Sequence, residues 1–171
     1  MVTGHQLVLV GPPAAGKSTL GRAVAGQVGA EFTDTDELLV TELGLSLPEA
    51  WASMPPERIA AAETAICLAS LERPGLIALG SAAVARPEVR AALAGRPVVW
   101  LQVSAAQASR RLGMAALGME TLVAVRSRLA ALLRERDPWY SEVATVRIDT
   151  DRLDVARAVD RVRQAWEDDA W

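Results

Sequence analysis

The chain is poor in the residues on which several kinds of site depend. It has one cysteine, one histidine and one lysine in 171 residues. A single cysteine, Cys67, excludes an intrachain disulfide, and its place on the apolar side of a helical segment predicts a buried, inert thiol. His5 stands alone, so no transition-metal site of gathered imidazoles and thiolates is expected, and it reads as a surface residue. Aromatic residues make up only 4% of a chain that is 51% apolar, which leaves the core to Ala, Val and Leu. No apolar run approaches the ~20 residues of a membrane-spanning helix. The N-terminal segment also lacks the basic and apolar regions of a signal peptide, so no membrane partner and a cytoplasmic location are expected. A net charge of −3 gives no basic footprint for nucleic acid. The length suits one domain over residues 1–171, with a monomer as the expected state.

The one lysine is where the chain becomes specific. Lys17 closes the run Gly11-Pro12-Pro13-Ala14-Ala15-Gly16-Lys17-Ser18-Thr19, which fits the phosphate-binding pattern G-x-x-x-x-G-K-[ST]. The glycines let the backbone curl so that N–H groups point at phosphate oxygens. A compact ammonium reaches the far phosphates and the Ser18 hydroxyl can ligate Mg²⁺. Every other basic side chain here is arginine, whose planar guanidinium is the wrong shape for a point contact in a tight loop. The motif also needs a strand before it and a helix after it. Leu7-Val8-Leu9-Val10 supplies the first, and Leu20, Val24 and Val28 recur at helical spacing up to Gly29.

Strand-like and helix-like segments then alternate to the end, which predicts parallel βαβ units and an α/β fold. Glu31–Asp34 reads as a short strand, with a helix from Asp36. Ser46-Leu47-Pro48-Glu49 is a capping box opening a brief helix through Trp51, and a longer helix spans 57–72. Strands follow at Leu76–Leu79 and Val98–Val103, separated by a helix from Pro87 to Gly95. Ser104 and Gln107 read as a second capping box, and an uncharged stretch occupies 113–118. Leu122, Val125, Leu129 and Leu133 predict the core stripe of a helix over 120–136, stopped by Asp137-Pro138. A last strand at 143–148 precedes a helix whose buried face is Val155, Val159, Val162 and Trp166.

In such a sheet the ligand sits outside the carboxyl ends of the strands. Three of those ends are polar here: the phosphate loop, Asp34-Thr35-Asp36, and Leu79-Gly80-Ser81-Ala82. One carboxylate beside a Mg-nucleotide can hold a metal-bound water, and another two residues on can orient or deprotonate an attacking hydroxyl. A helix cap is the plainer role open to Asp36.

At this point the chain resembles the shikimate kinase family over nearly its whole length. The resemblance rests on the 9–22 segment around the phosphate loop, on Asp34-Thr35-Asp36, on Val98-Val99-Trp100-Leu101 after Gly95, and on Arg134-Glu135-Arg136-Asp137-Pro138-Trp139-Tyr140. That last segment is similar to the family's Arg-x-Pro-x-Tyr signature. The resemblance implies a three-layer α/β/α P-loop kinase fold with a five-stranded parallel sheet and a lid at about 113–120. It also implies phosphoryl transfer from ATP, with Mg²⁺, to a ring hydroxyl of shikimate in aromatic amino acid biosynthesis. By position, Gly11, Ala14, Ala15, Gly16, Lys17, Ser18 and Thr19 would bind the nucleotide, and Arg110 or Arg111 would stack on adenine. Ser18 and Asp34 would serve the metal. Lys17, Asp36 and Arg136 would be catalytic, and Asp36, Trp51, Glu63, Gly80, Ser81, Ala82 and Arg136 would meet the small hydroxylated substrate.

The chain departs from the family at three places. Ala60 stands where the family has an arginine on the 57–72 helix, a loss of ~1.5–3 kcal/mol if a charge-assisted contact goes with it. Gly80-Ser81-Ala82 replaces three glycines, and the lid arginine has no match in 113–120, leaving Arg126 and Arg128 as candidate substitutes. Three readings stay open: a shikimate kinase, a kinase for another hydroxylated small molecule, and a nucleotide-binding protein with little kinase activity.

Overall fold

The computed structural model describes residues 4–114 and 118–168. Five strands form one parallel sheet: β1 (Gln6–Val10), β2 (Phe32–Asp34), β3 (Gly75–Ala78), β4 (Val98–Gln102) and β5 (Val146–Asp149), in the order β2-β3-β1-β4-β5. Val8 pairs with Ile77 on one side and with Val98 on the other, so β1 is central and buried on both faces. That is why it reads as an unbroken apolar run rather than an alternating one.

The pleat sends Leu7 and Leu9 to one face and Val8 and Val10 to the other. The first face is covered by α1 (Lys17–Val28) and α8 (Val155–Glu167). The second is covered by residues of α4 (Pro56–Ser70), α5 (Pro87–Leu93) and the C-terminal end of α7 (Met119–Val143). Two short helices, α2 (Thr35–Leu43) and α3 (Leu47–Ser53), lean on α4 around Leu39, Ala50 and Ile59. A 3₁₀ turn, Ala83–Ala85, links β3 to α5, and α6 (Ala105–Arg111) follows β4. The expected three-layer α/β/α architecture is thus what the chain forms.

Several local expectations are corrected. The helix over 120–136 does not stop at Asp137-Pro138; α7 carries Pro138 in its interior and runs to Val143. The missing N–H and ring clash cost about 3 kcal/mol in a helix interior. They are offset here by tertiary packing beyond the break, where Tyr140 is buried and stacks on Trp100 at 5.6 Å and Val143 joins the core. The last strand accordingly begins at Val146, since Val143 belongs to the helix.

The stripe Leu122, Val125, Leu129 and Leu133 is only half-buried, because the N-terminal half of α7 packs on α6, where Arg126 Nε donates to Ser109 Oγ at 3.1 Å. Val155, placed on the buried face of the last helix, is exposed; Val159 and Val162 fill that face as expected, joined by Ala158 and Ala165. The second capping box is half-formed. Ser104 Oγ accepts from Gln107 N, but Asp151 rather than Gln107 accepts the Ser104 N–H. The Ser46–Glu49 box forms in both directions. Of the expected lid, residues 115–117 lie outside the described residues, while Met119 and Glu120 already belong to α7.

Candidate active site

The phosphate loop is shaped by two close approaches. A Cβ at Gly11, whose φ is 153°, would lie 2.4 Å from the Leu101 carbonyl oxygen on β4, so only glycine lets the chain leave β1 there. Ala14 is held at φ 62°, a left-handed conformation that costs a non-glycine residue about 1–2 kcal/mol. The first bond of α1 runs from Leu20 N to Gly16 O at 2.8 Å, so the amides of Gly16 to Thr19 are the orphan donors of a helix N-terminus aimed at the loop's concavity. Lys17 is buried, and its Nζ donates to Gly11 O at 2.8 Å and Pro12 O at 3.1 Å. Burial lowers its pKa to about 8, against the pull of Asp36 and Asp34.

Asp34 and Asp36 divide their roles by geometry. Asp34 Oδ1 accepts from Asp36 N at 3.0 Å and caps α2, so the capping role considered for Asp36 falls to its neighbour. Asp36 is left free to face the cavity, and desolvation raises its pKa despite the opposing charge of Lys17. Ser18 and Asp34 line one cavity of about 310 Å³ together with Asp36 and Leu47. Among the described residues no group of three acidic, histidine or cysteine side chains gathers to hold a metal. One hydroxyl and one carboxylate, completed by phosphate and water, is the donor set Mg²⁺ ordinarily takes.

The acceptor side is built on the end of β3. A Cβ at Gly80 would meet Asp36 Oδ1 at 2.5 Å and Glu63 Oε1 at 3.1 Å, so the bare glycine lets two carboxylates close on the backbone. Gly80 N donates to Thr35 Oγ1 at 2.8 Å, which ties the turn after β2 to the end of β3. The Ser81 carbonyl accepts from Arg136 Nη1 at 2.7 Å and from the Tyr140 hydroxyl at 2.8 Å. Thus the Arg-x-Pro-x-Tyr segment clamps the loop through both of its polar residues, on a helix that continues past the proline. Glu63 is buried, and desolvation raises its pKa while Arg86, and less so Arg136, draw it down. Cys67 lies behind them, its thiol pushed up to about 12 by burial, and so inert as expected.

A cavity of about 420 Å³ joins the two halves, lined by Ala14, Gly16, Lys17, Ser18, Thr19, Asp36 and Ser81 among others. Leu47 rather than Trp51 lines both cavities that contain Asp36; Trp51 is half-exposed on α3. Of the two arginines on α6, Arg111 turns inward. It donates to Ala14 O at 3.0 Å and Thr150 O at 2.7 Å, beside a second cavity of about 250 Å³ lined by Thr19, Leu153 and Val155. Arg110 is exposed. Sequence reading missed Thr35, Thr150 and Arg86, since neither Thr nor Arg carries a spacing signal of its own.

A helix-borne phosphate loop at the end of the central strand, with an acid across one cavity from its lysine, defines the class: a nucleotide-binding protein of the P-loop kinase fold. The shikimate kinase family model matches residues 13–167. Relatives include the shikimate kinases of Frankia casuarinae and Thermobifida fusca. The first is 43% identical over 84% of this chain and 64% of that protein, and the second is 38% identical over 84% of each. Among solved structures, shikimate kinase from Acinetobacter baumannii in complex with shikimate superposes with a TM-score of 0.82 at 28% identity, covering 95% of this chain and 93% of that one. A gluconokinase from Sinorhizobium meliloti, with a TM-score of 0.61 at 19% identity and coverage of 97% and 93%, shares the fold alone. The chain belongs to the shikimate kinase family.

Proposed function

We propose that this chain transfers the γ-phosphoryl group of ATP to a ring hydroxyl of shikimate, forming ADP and shikimate 3-phosphate in aromatic amino acid biosynthesis. The observation that carries this reading is the single cavity that runs from Lys17, Ser18 and Thr19 to Asp36 and Ser81. It gives donor and acceptor one space in which to react in line. The solved relative with shikimate bound supports the choice of acceptor.

Each residue then has a task. The loop amides and the Lys17 ammonium bind the phosphates, and Arg111 with Leu153 and Val155 borders the space for the base. Ser18 and Asp34 would hold Mg²⁺, which would supply charge neutralisation to the phosphates. Asp36, pushed toward basicity by burial, accepts the hydroxyl proton as the acceptor oxygen attacks. Arg136 and Glu63 orient the acceptor, with Gly80, Ser81 and Ala82 as the floor beneath its ring. Residues 1–171 act as one domain and one monomer. No helix among the described residues is long and apolar enough to cross a membrane.

The test is a coupled ADP-release assay with MgATP against shikimate, quinate and gluconate, with Lys17→Ala as the blank. Shikimate-dependent ADP is the expected result, and Asp36→Asn is expected to remove it while nucleotide affinity holds. ADP released only with another alcohol would overturn the acceptor. None above the blank would overturn the reaction.

A further inference from the structure

One guanidinium on the turn that leads away from Gly80 has no hydrogen-bond partner among the described residues. Arg86 is the N-cap residue of α5, where the 3₁₀ turn from Gly80 ends. That turn is a stiff spur: Ala83 N donates to Gly80 O and Arg86 N to Ala83 O, both at 3.0 Å, and Ser81 is pinned by Arg136 and Tyr140. The Arg86 backbone is therefore fixed relative to Gly80. Its Nε is buried and unmatched, while its Nη atoms make no hydrogen bond to any described residue. A buried donor without an acceptor costs free energy and asks for an explanation.

Pairing with Glu63 does not supply one. Arg86 is the foremost positive charge acting on that carboxylate, yet the two make no ion pair within 4.0 Å among the described residues. Arg86 thus sits near the buried acid without contacting it, and its planar fork of donors stays open. Arg136, the other cation facing Glu63, already commits one Nη to Ser81. A carboxylate entering here would find in Arg86 the fuller donor set, and planar guanidinium forks suit carboxylates in paired bonds.

We propose that Arg86 binds the carboxylate of the acceptor and so selects an anionic over a neutral ring polyol. This deepens the phosphoryl-transfer reading above and rests on it. The residue is an anchor for substrate and takes no proton.

The experiment compares shikimate with its methyl ester, which keeps the ring hydroxyls and removes the charge, in the unaltered protein and in Arg86→Gln and Arg86→Lys. The readout is the ratio of kcat/KM for the acid to that for the ester within each variant, which is independent of the fraction of folded enzyme. The unaltered protein is expected to favour the acid, and Arg86→Gln to lower that ratio about 10- to 100-fold, as expected for the loss of a charge-assisted contact, through KM rather than kcat. Arg86→Lys should keep part of the preference. If Arg86→Gln depresses acid and ester alike, Arg86 only neutralises Glu63 and the inference fails. An unchanged ratio in an active enzyme overturns it too. If the unaltered protein releases no ADP with either acceptor, the reaction itself is wrong, and the inference falls with it for that separate reason.

Discussion

Lys17 is a buried ammonium whose proton is loosened by desolvation, to a pKa of about 8 from 10.5. Its positive charge is complete well below pH 8 and lost as pH climbs through that value, and the positive form is the one that attracts phosphate. Affinity for MgATP, measured by calorimetry at fixed ionic strength, should therefore weaken from pH 7 to pH 9. In Lys17→Ala that slope should flatten. The phosphate loop that contains this lysine was legible because the chemistry demands a contiguous string of residue types. Arg86 was not, because nothing in Ala85-Arg86-Pro87 records which way a guanidinium turns or that it lacks a partner. Asp34 and Asp36 lie between these cases. Their pairing was plain, but which carboxylate caps α2 was decided by the extended backbone at Asp34, φ −112° and ψ 115°, which sets its side chain under the helix amides.

At the scale of elements, α7 is where local rules and packing disagree most. Pro138 leaves the helix one hydrogen bond short, yet the segment beyond it stays helical because Tyr140 and Val143 are already anchored. Pro138→Ala restores the missing donor and removes the ring clash. Its unfolding free energy should rise by up to about 3 kcal/mol by urea titration. Activity should move the other way, since any change in the helix path at residue 138 would shift Arg136 and Tyr140 off the Ser81 carbonyl. Helix starts were read well wherever a cap announced them, as at Ser46. Helix ends were read poorly wherever a tertiary contact, such as the Trp100–Tyr140 stack, overrode the breaker.

For the whole molecule, the alternation of strands and helices made the layered α/β class readable from pattern alone. The order β2-β3-β1-β4-β5 was not, because no local sequence feature records which strand lies beside which. That order sets the ends of β1, β2 and β3 side by side, so a nucleotide bridging the loop and Asp34 would tie three strand ends together. MgATP at about 100 times its dissociation constant should raise the unfolding free energy by about 2.7 kcal/mol, seen as a higher melting temperature. An equal shift in Lys17→Ala would mean that the ligand sits elsewhere.

With arginine at every other basic position, Lys17 is also the sole side-chain primary amine on the surface of the reaction space. Acylating reagents or cellular acetyl donors therefore have one internal target, apart from the chain's α-amino group, and it is the very group that grips the phosphates. Because trypsin does not cut after an acylated lysine, the fraction of molecules that keep residues 1–22 in one tryptic peptide would report occupancy at Lys17.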